Sequence, residues 1–334
     1  MVLRPALALL LLPLPLLLLL LLGEARSSPP DYAFAQRFSA DGLLRNASAR
    51  DEFVSLMFRY EGRFHSDGVG VDFASGMTFD GTAIHPDTLL PQVHDACCYS
   101  YGSRLTPPQA SGRHNFSAPS KEALHLTLLA RAVEGDALAL SFFAQSCAAP
   151  PPCDVRHHVL AILASKAATL TRFNKEFPGY GGFLPWFKIN VSNRSEGIAP
   201  TDDWQNRVPA LDNGQMAWGL LAVSTSLALA GEAALAGIYD ALFQRMASNA
   251  LLVFYDSIRG VHRDITHISD MRLPPEQVVY SAEGSGCLCD PYEGELFVFF
   301  ADLYANWTGY SVDARDQVWV NRRAMLQVLW PCNW

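Results

Sequence analysis

The chain has 334 residues, half of them apolar and 17 % charged, and a formal net charge of −8. That length and apolar content suffice for one large core. The acidic balance and the absence of a long Lys/Arg run exclude nucleic acid as a partner, because polyanion binding rests on clustered basic side chains.

Arg4, an apolar run from Ala6 to Leu22 and the small residues about Gly23-Glu24-Ala25 have the three-part layout of a signal peptide. Residues 1–25 are expected to be removed, leaving 26–334 as one domain, secreted or in the secretory-pathway lumen, with no membrane contact after cleavage. A signal anchor is the alternative, since the run approaches the ~20 residues of a membrane span. Pro13 and Pro15 favour the cleaved leader.

From Asp31 to Tyr60, apolar residues recur at three-to-four spacing and predict helix, with Asp51-Glu52 near the start of the helix that carries Phe53. Gly68 to Gly81 reads as a short hairpin or irregular segment, His85 to Tyr99 as weakly helical, and Tyr101 to Ser120 as a surface loop. Ser120 is expected to cap a helix over Lys121–Ser146 that Gly135 can divide, and Asp154 to cap the next, from Val155 to Phe173.

Phe177 to Gly219 stands apart. Glycines at 179, 181, 182 and 214 alternate with Tyr180, Phe183, Trp186, Phe187, Trp204 and Trp218, and Glu196, Asp202, Asp203 and Asp212 lie among them. Sugars present apolar C–H faces that lie on aromatic rings and hydroxyls that need fixed acceptors, so rings beside carboxylates point to carbohydrate. An ordered structural loop is the competing reading of the same residues.

Gln215 to Ala230 follows, apolar around its whole circumference and so expected to be buried on several sides. Gly231-Glu232 turns the chain into a helix over Ala233–Phe254. Tyr255 to Met271 reads as loop or short strands, Pro274 to Asp290 as a glycine-cysteine loop, and Tyr292–Tyr304 and Val312–Leu329 as helices. Helical hairpins in series, with long loops at one end, describe an all-α toroid whose inner helices form the core and whose loops line a cleft.

Five N-x-S/T sequons, at Asn46, Asn115, Asn190, Asn193 and Asn306, suit a glycoprotein of the secretory route. Of the seven cysteines, Cys147 and Cys153 bracket a proline-rich turn between two helical patterns and are expected to form a disulfide. Cys287-Leu288-Cys289 has no second ligand pair at zinc-finger spacing, and His262, Asp264 and His267 lack the spacing of a helical histidine pair. No metal or other cofactor is implied.

Three motifs carry a family resemblance: Gly181-Gly182-Phe183-Leu184-Pro185-Trp186-Phe187, Leu211-Asp212-Asn213-Gly214-Gln215 and Tyr292-Glu293-Gly294-Glu295-Leu296. Together they resemble the secreted endo-β-1,2-glucanases of glycoside hydrolase family 162, and more distantly family 144 and the glycoamylase-like domains. The resemblance implies an (α/α)6 toroid and an inverting hydrolase of β-1,2-linked glucan, whose acid protonates the glycosidic oxygen through a substrate hydroxyl. Inverting hydrolysis needs one carboxylic acid and one water-activating carboxylate.

Glu293, at the loop-to-helix junction that a toroid points into its cleft, is the candidate acid; a helix-start carboxylate that merely favours the dipole is the bland alternative. Glu295 falls about 200° away around the helix. Tyr180, Phe183, Trp186, Trp204, Asp212, Gln215, Trp218 and Glu295 are the candidate substrate contacts, with helix capping the competing role for Asp212. The family continues with further hairpins, where the water-activating carboxylate is expected, and only eight or nine helices are read here. The expectation is therefore a toroid incomplete at its C-terminal end, lacking the base and leaving the seventh cysteine unpaired. A β-glucan or other oligosaccharide is the expected partner. A glycan-binding or interaction protein without turnover is the alternative function.

Overall fold

The computed structural model describes residues 34–81, 98–99, 113–114, 116–147, 153–189, 197–284, 286–288 and 293–329; at 98, 99, 113, 293 and 326–329 only the backbone is described. After a 3-10 turn at Phe34–Arg37 come α1 (Ala40–Arg45) and α2 (Ala47–Glu61). Asn46 caps α2, its Oδ1 accepting from Ser48 N at 3.0 Å and Ala49 N at 3.3 Å. Asp51-Glu52 therefore lie in the second turn of that helix and not at its start. The hairpin β1–β2 (Val71–Asp72, Met77–Thr78) fills the expected Gly68–Gly81 segment.

The predicted weak helix over 85–99 and loop over 101–120 lie largely outside the described residues; within them β3 (Cys98–Tyr99) runs parallel to β4 (Arg113–His114). Strand β5 (Phe116–Ser117) leads into α3 (Pro119–Val133). Pro119 opens that helix, where its missing N–H costs nothing, so Ser120 is inside the first turn and caps nothing. The helix breaks at Gly135, and Asp136 caps α4 (Ala137–Ala144) through Ala139 N at 2.9 Å. Cys147 and Cys153 are joined, with their Cα atoms 6.0 Å apart. Asp154 caps α5 (Val155–Glu176) as expected, accepting from His157 N at 3.0 Å.

Strands β6 (Phe187–Ile189) and β7 (Ile198–Pro200) complete a three-stranded sheet with β5. Strand β8 (Arg207–Pro209) feeds α6 (Ala210–Leu229), which Gly231 ends with a positive φ of 84° before α7 (Ala233–Phe254). The 255–271 segment holds β9 (Tyr255–Asp256), β10 (Val261–His262) and β11 (Ile265–Ile268); β11 sits between β8 and β12 (Tyr280–Ala282). Helices α8 (Glu293–Tyr304) and α9 (Ala314–Leu329) follow.

The most extensive helix contacts are those of α6, which packs on α3, α7 and α8. Its apolar circumference is explained: it has a neighbour on three sides. Helices α3, α6 and α8 form an inner row, and α5 and α7 lie behind it. Nine α-helices among the described residues thus make an (α/α)6-type arrangement.

The core also encloses charge. Glu122 accepts from Thr78 N and Oγ1, both at 2.8 Å, and pairs with fully buried Lys166, tying β2, α3 and α5 together. Beside it runs a chain of side chains, His158 to Ser146 (3.2 Å), Ser146 to His65 (2.9 Å) and His65 to His125 (3.0 Å). Burial, then the charges of His158 and Lys166, pushes the His65 imidazole down to about 3.

Candidate functional site

The stretch that looked most like a sugar platform is mainly a wall. Tyr180 and Phe183 are both fully buried, which corrects the expectation that they touch substrate. The Tyr180 hydroxyl donates to the carbonyls of Trp204 (2.9 Å) and Gln205 (2.8 Å), and burial raises its pKa. Phe183 meets Phe254 edge to face, with centroids 4.9 Å apart.

Trp186 and Trp204 belong to one stack. Their rings lie 5.3 Å apart and nearly parallel at 14°; Phe116 covers the Trp186 side at 6.1 Å, His114 lies on Phe116 at 5.4 Å, and the Arg207 guanidinium sits 5.2 Å from Trp204. Ring faces used on one another are closed to a pyranose. Trp204 is only 6 % exposed. Both tryptophans are therefore corrected from sugar-stacking residues to structural ones. The outer layers are pinned in turn: His114 Nδ1 lies 2.8 Å from Asp80 Oδ2, and Arg207 donates to Glu283 at 3.0 Å.

Asp212 does not cap a helix, since α6 begins at Ala210 with Pro209 in the cap position. Its carboxylate accepts from the Trp186 indole N–H at 2.9 Å, fixing the stack to the first turn of α6. Asn213, in the same motif, is fully buried. It donates to the carbonyls of Leu184 (2.8 Å) and Pro209 (2.7 Å) and accepts from Leu184 N (2.9 Å). These bonds join two of the three sequence motifs, and the role of Asn213 is legible only once its partners are known.

Gly214 reaches the residue that follows the third. A Cβ there would stand 2.6 Å from Phe297 N and 2.7 Å from its Cα, so only glycine lets α8 lie this close to α6. One turn further on, Trp218 donates its indole N–H to Leu296 O at 2.9 Å and meets Tyr304 edge-on at 6.0 Å. The pairings of Gly214 with Phe297 and Trp218 with Tyr304 run in the same direction along both helices. The start of α8, where Glu293 is the first residue, therefore lies beside the start of α6. Glu293's side chain is outside the described residues.

Asp212, Gln215 and Trp218 are half-buried and follow one stripe of α6 toward that junction. Glu295 is drawn elsewhere. It accepts from Arg322 Nε of α9 at 3.0 Å, and that guanidinium also donates to the Leu288 carbonyl and fills the space over Gly294. One carboxylate oxygen of Glu295 is thus taken up by a buried arginine that ties α8 to α9.

Among the described residues, no group of three or more His, Cys, Asp or Glu side chains could hold a metal. His262 is 3 % exposed, packed on Tyr255 and Phe297, and burial followed by the charges of Arg322 and Arg263 lowers its pKa to about 3. Of the sequons, Asn46 and Asn306 are exposed, while Asn115, Asn190 and Asn193 lie outside the described residues.

An (α/α)6-type inner row with a polar stripe at the helix starts defines a toroid of the glycoside-hydrolase kind. A family model described as endo-beta-1,2-glucanase SGL, of glycoside hydrolase family 162, matches residues 101–330, more than half of the chain, and the chain belongs to that family. Two solved structures of the Talaromyces funiculosus endo-beta-1,2-glucanase are similar to it. One, a Glu-to-Gln variant with beta-1,2-glucan, is 29 % identical with a TM-score of 0.71, covering 89 % of this chain and 54 % of that one. The other, with sophorose, is 30 % identical with a TM-score of 0.70, covering 87 % and 53 %. This chain thus spans about half the length of the structures it matches. No curated protein matches it. The chain is β-1,2-glucanase-like.

Proposed function

We propose that the chain binds β-1,2-linked glucan along the α6 stripe and that Glu293 serves as general acid of an inverting hydrolase. The observation that carries this reading is the side-by-side placement of the starts of α6 and α8, which brings Glu293's backbone position next to Asp212 and Gln215. Sophorose and β-1,2-glucan in the similar structures support the substrate class. In this reading Gln215 and Trp218 hold sugar hydroxyls and a ring face, while Asp212 and Asn213 hold the wall against which the sugar lies.

A second reading, glycan binding without turnover, has its own observation. An inverting enzyme needs a water-activating carboxylate about 6.5–9.5 Å from its acid, and two described carboxylates at the junction each already accept a protein hydrogen bond, Asp212 from Trp186 and Glu295 from Arg322. The experiment is a pair of measurements on the same sample: sophorose binding by calorimetry, and release of reducing ends from β-1,2-glucan. Binding with turnover that Glu293→Gln abolishes supports the hydrolase. Binding without turnover supports the second reading, and absence of both rejects the glucan. We propose also that residues 1–25 are cleaved and that the chain is secreted with glycans at exposed Asn46 and Asn306; N-terminal sequencing and a mobility shift on deglycosylation check this.

A further inference from the structure

Away from the glucan face, the outer helices α5 and α7 part to leave an open groove with a cavity volume of about 690 Å³. Its floor is apolar, with Ile238 and Leu242, and is kept wide by Gly237, where an added Cβ would meet nothing within 4 Å. The groove continues along both helices, past Thr171 and Ile238, into a further 500 Å³ lined mainly by small and apolar residues. Its polar end holds Lys175, Arg245 and Asn174, and no carboxylate lines it.

Two polar atoms at this end have no hydrogen-bond partner, Asn174 Oδ1 and Arg245 Nε, and Asn174 is itself only 8 % exposed. Buried polar atoms without partners cost about 1–3 kcal/mol each. Both atoms are closed to solvent and so lie beneath the groove surface, which leaves the charged ends of Lys175 and Arg245 as its polar contacts. Grooves between helices, of a few hundred Å³, with an apolar floor and few convergent polar groups, are the usual form of small-molecule sites.

We propose that this groove binds an amphipathic organic anion. The apolar body lies along α5 and α7 over Ile238 and Leu242, and the anionic group meets Lys175 and Arg245. Two cations in a groove that no carboxylate lines select against neutral and cationic amphiphiles. The site is on the outer layer, whereas the glucan stripe faces the inner row, so the two are occupied independently.

The test uses cholate, which has an apolar face, hydroxyls and one carboxylate, titrated calorimetrically into the full chain below the detergent's aggregation concentration. Saturable binding of one molecule per chain is expected. Gly237→Phe fills the groove from an exposed helix position and should abolish binding, and Lys175→Glu should weaken it about tenfold, the equivalent of one charge-assisted hydrogen bond. Sophorose binding, measured on the same variants, should stay unchanged and shows that they are folded. Absence of saturable cholate binding, or binding that both variants retain, overturns the proposal. So does dimerisation of the wild type that Gly237→Phe relieves, because the groove then belongs to a second copy.

Discussion

Two regions of the molecule share a vocabulary of glycine, tryptophan and carboxylate and use it differently. In the 177–209 stretch the rings are stacked on each other and the glycines turn a packed loop against α7 and Met271. At the α6–α8 junction a single glycine brings two helices into contact, and the ring and polar side chains beside it remain half-exposed. The first region spends its chemistry on rigidity. The second has chemistry left to offer a ligand, and the first holds it in place through Trp186, Asp212 and Asn213.

The largest expected effect comes from removing that contact. Gly214→Val places side-chain carbon where the Phe297 backbone now lies, a clash with backbone that cannot be relieved by a rotamer change. Overpacking of this kind costs about 1–3 kcal/mol or more, and here it also displaces the start of α8. Loss of sophorose binding together with a lowered melting temperature is expected. Unchanged binding would break the idea that the junction is the site.

Asn213→Ala comes next. It strips three side-chain hydrogen bonds, two of them from the Leu184 amide and carbonyl and one from the Pro209 carbonyl, which keeps its helix bond. At about 1 kcal/mol per bond, with more for a group left unsatisfied, the cost is about 3 kcal/mol, read as a shift in denaturant midpoint. Trp186→Ala should likewise destabilise, by about 3 kcal/mol as for other large core truncations. Trp218→Ala should be distinguished by binding, weakening sophorose about tenfold, or about 1.4 kcal/mol, beyond any loss of stability from its Leu296 and Tyr304 contacts. If the two tryptophans exchange these behaviours, the assignment of wall and site is inverted.

Acid provides a comparison without mutation. The stretch from 177 to 209 contains no histidine, whereas His262 lies against Phe297 of α8 and is held at about 3 in the fold, against 6.5 when unfolded. The unfolded chain binds the proton between those values and the folded chain does not. Stability from His262 is therefore full above about pH 6.5 and is lost progressively as the pH falls toward 3, at 1.36 kcal/mol per unit, or about 2 kcal/mol at pH 5. His65 shifts the same way in the α3–α5 core. Hydrogen exchange at pH 5 should open the α8 amides before those of β6 and β7, and equal protection would count against a separate, proton-sensitive junction.

How much of this could be read from the residues follows from the range of the interactions. Helix α7 was legible to the residue, Ala233–Phe254, because its period, the Gly231 turn before it and the β-branched and polar residues after it are all local. The Cys147–Cys153 pair was legible because only five residues, three of them proline, separate the two. The aromatic stack was not. Trp186 finds Phe116 from 70 residues upstream and Trp204 from beyond two strands, and nothing near Trp186 says whether its faces are free. The partners of Asp212 and Glu295 were hidden for the same reason, since Trp186 and Arg322 are long-range partners. Asn213 lay inside a motif already singled out, but a buried asparagine and a capping one look alike in sequence.

The smallest expected effect is the most discriminating. Asp212→Asn keeps an oxygen that can accept from the Trp186 N–H at the present 2.9 Å and removes only the charge. A hydrogen bond to a charged acceptor is worth about 1.5–3 kcal/mol and a neutral one about 0.5–1.5 kcal/mol, so stability should fall by about 1 kcal/mol. If Asp212 serves only the wall, sophorose affinity should fall no further than that loosening implies, and Asp212→Ala should weaken stability and binding together. If its second carboxylate oxygen also receives a sugar hydroxyl, the asparagine variant will bind sophorose at least tenfold more weakly while its stability falls by no more than the same ~1 kcal/mol. The ratio of the two losses assigns this one side chain to the wall or to the site, and it is the residue at which the two regions meet.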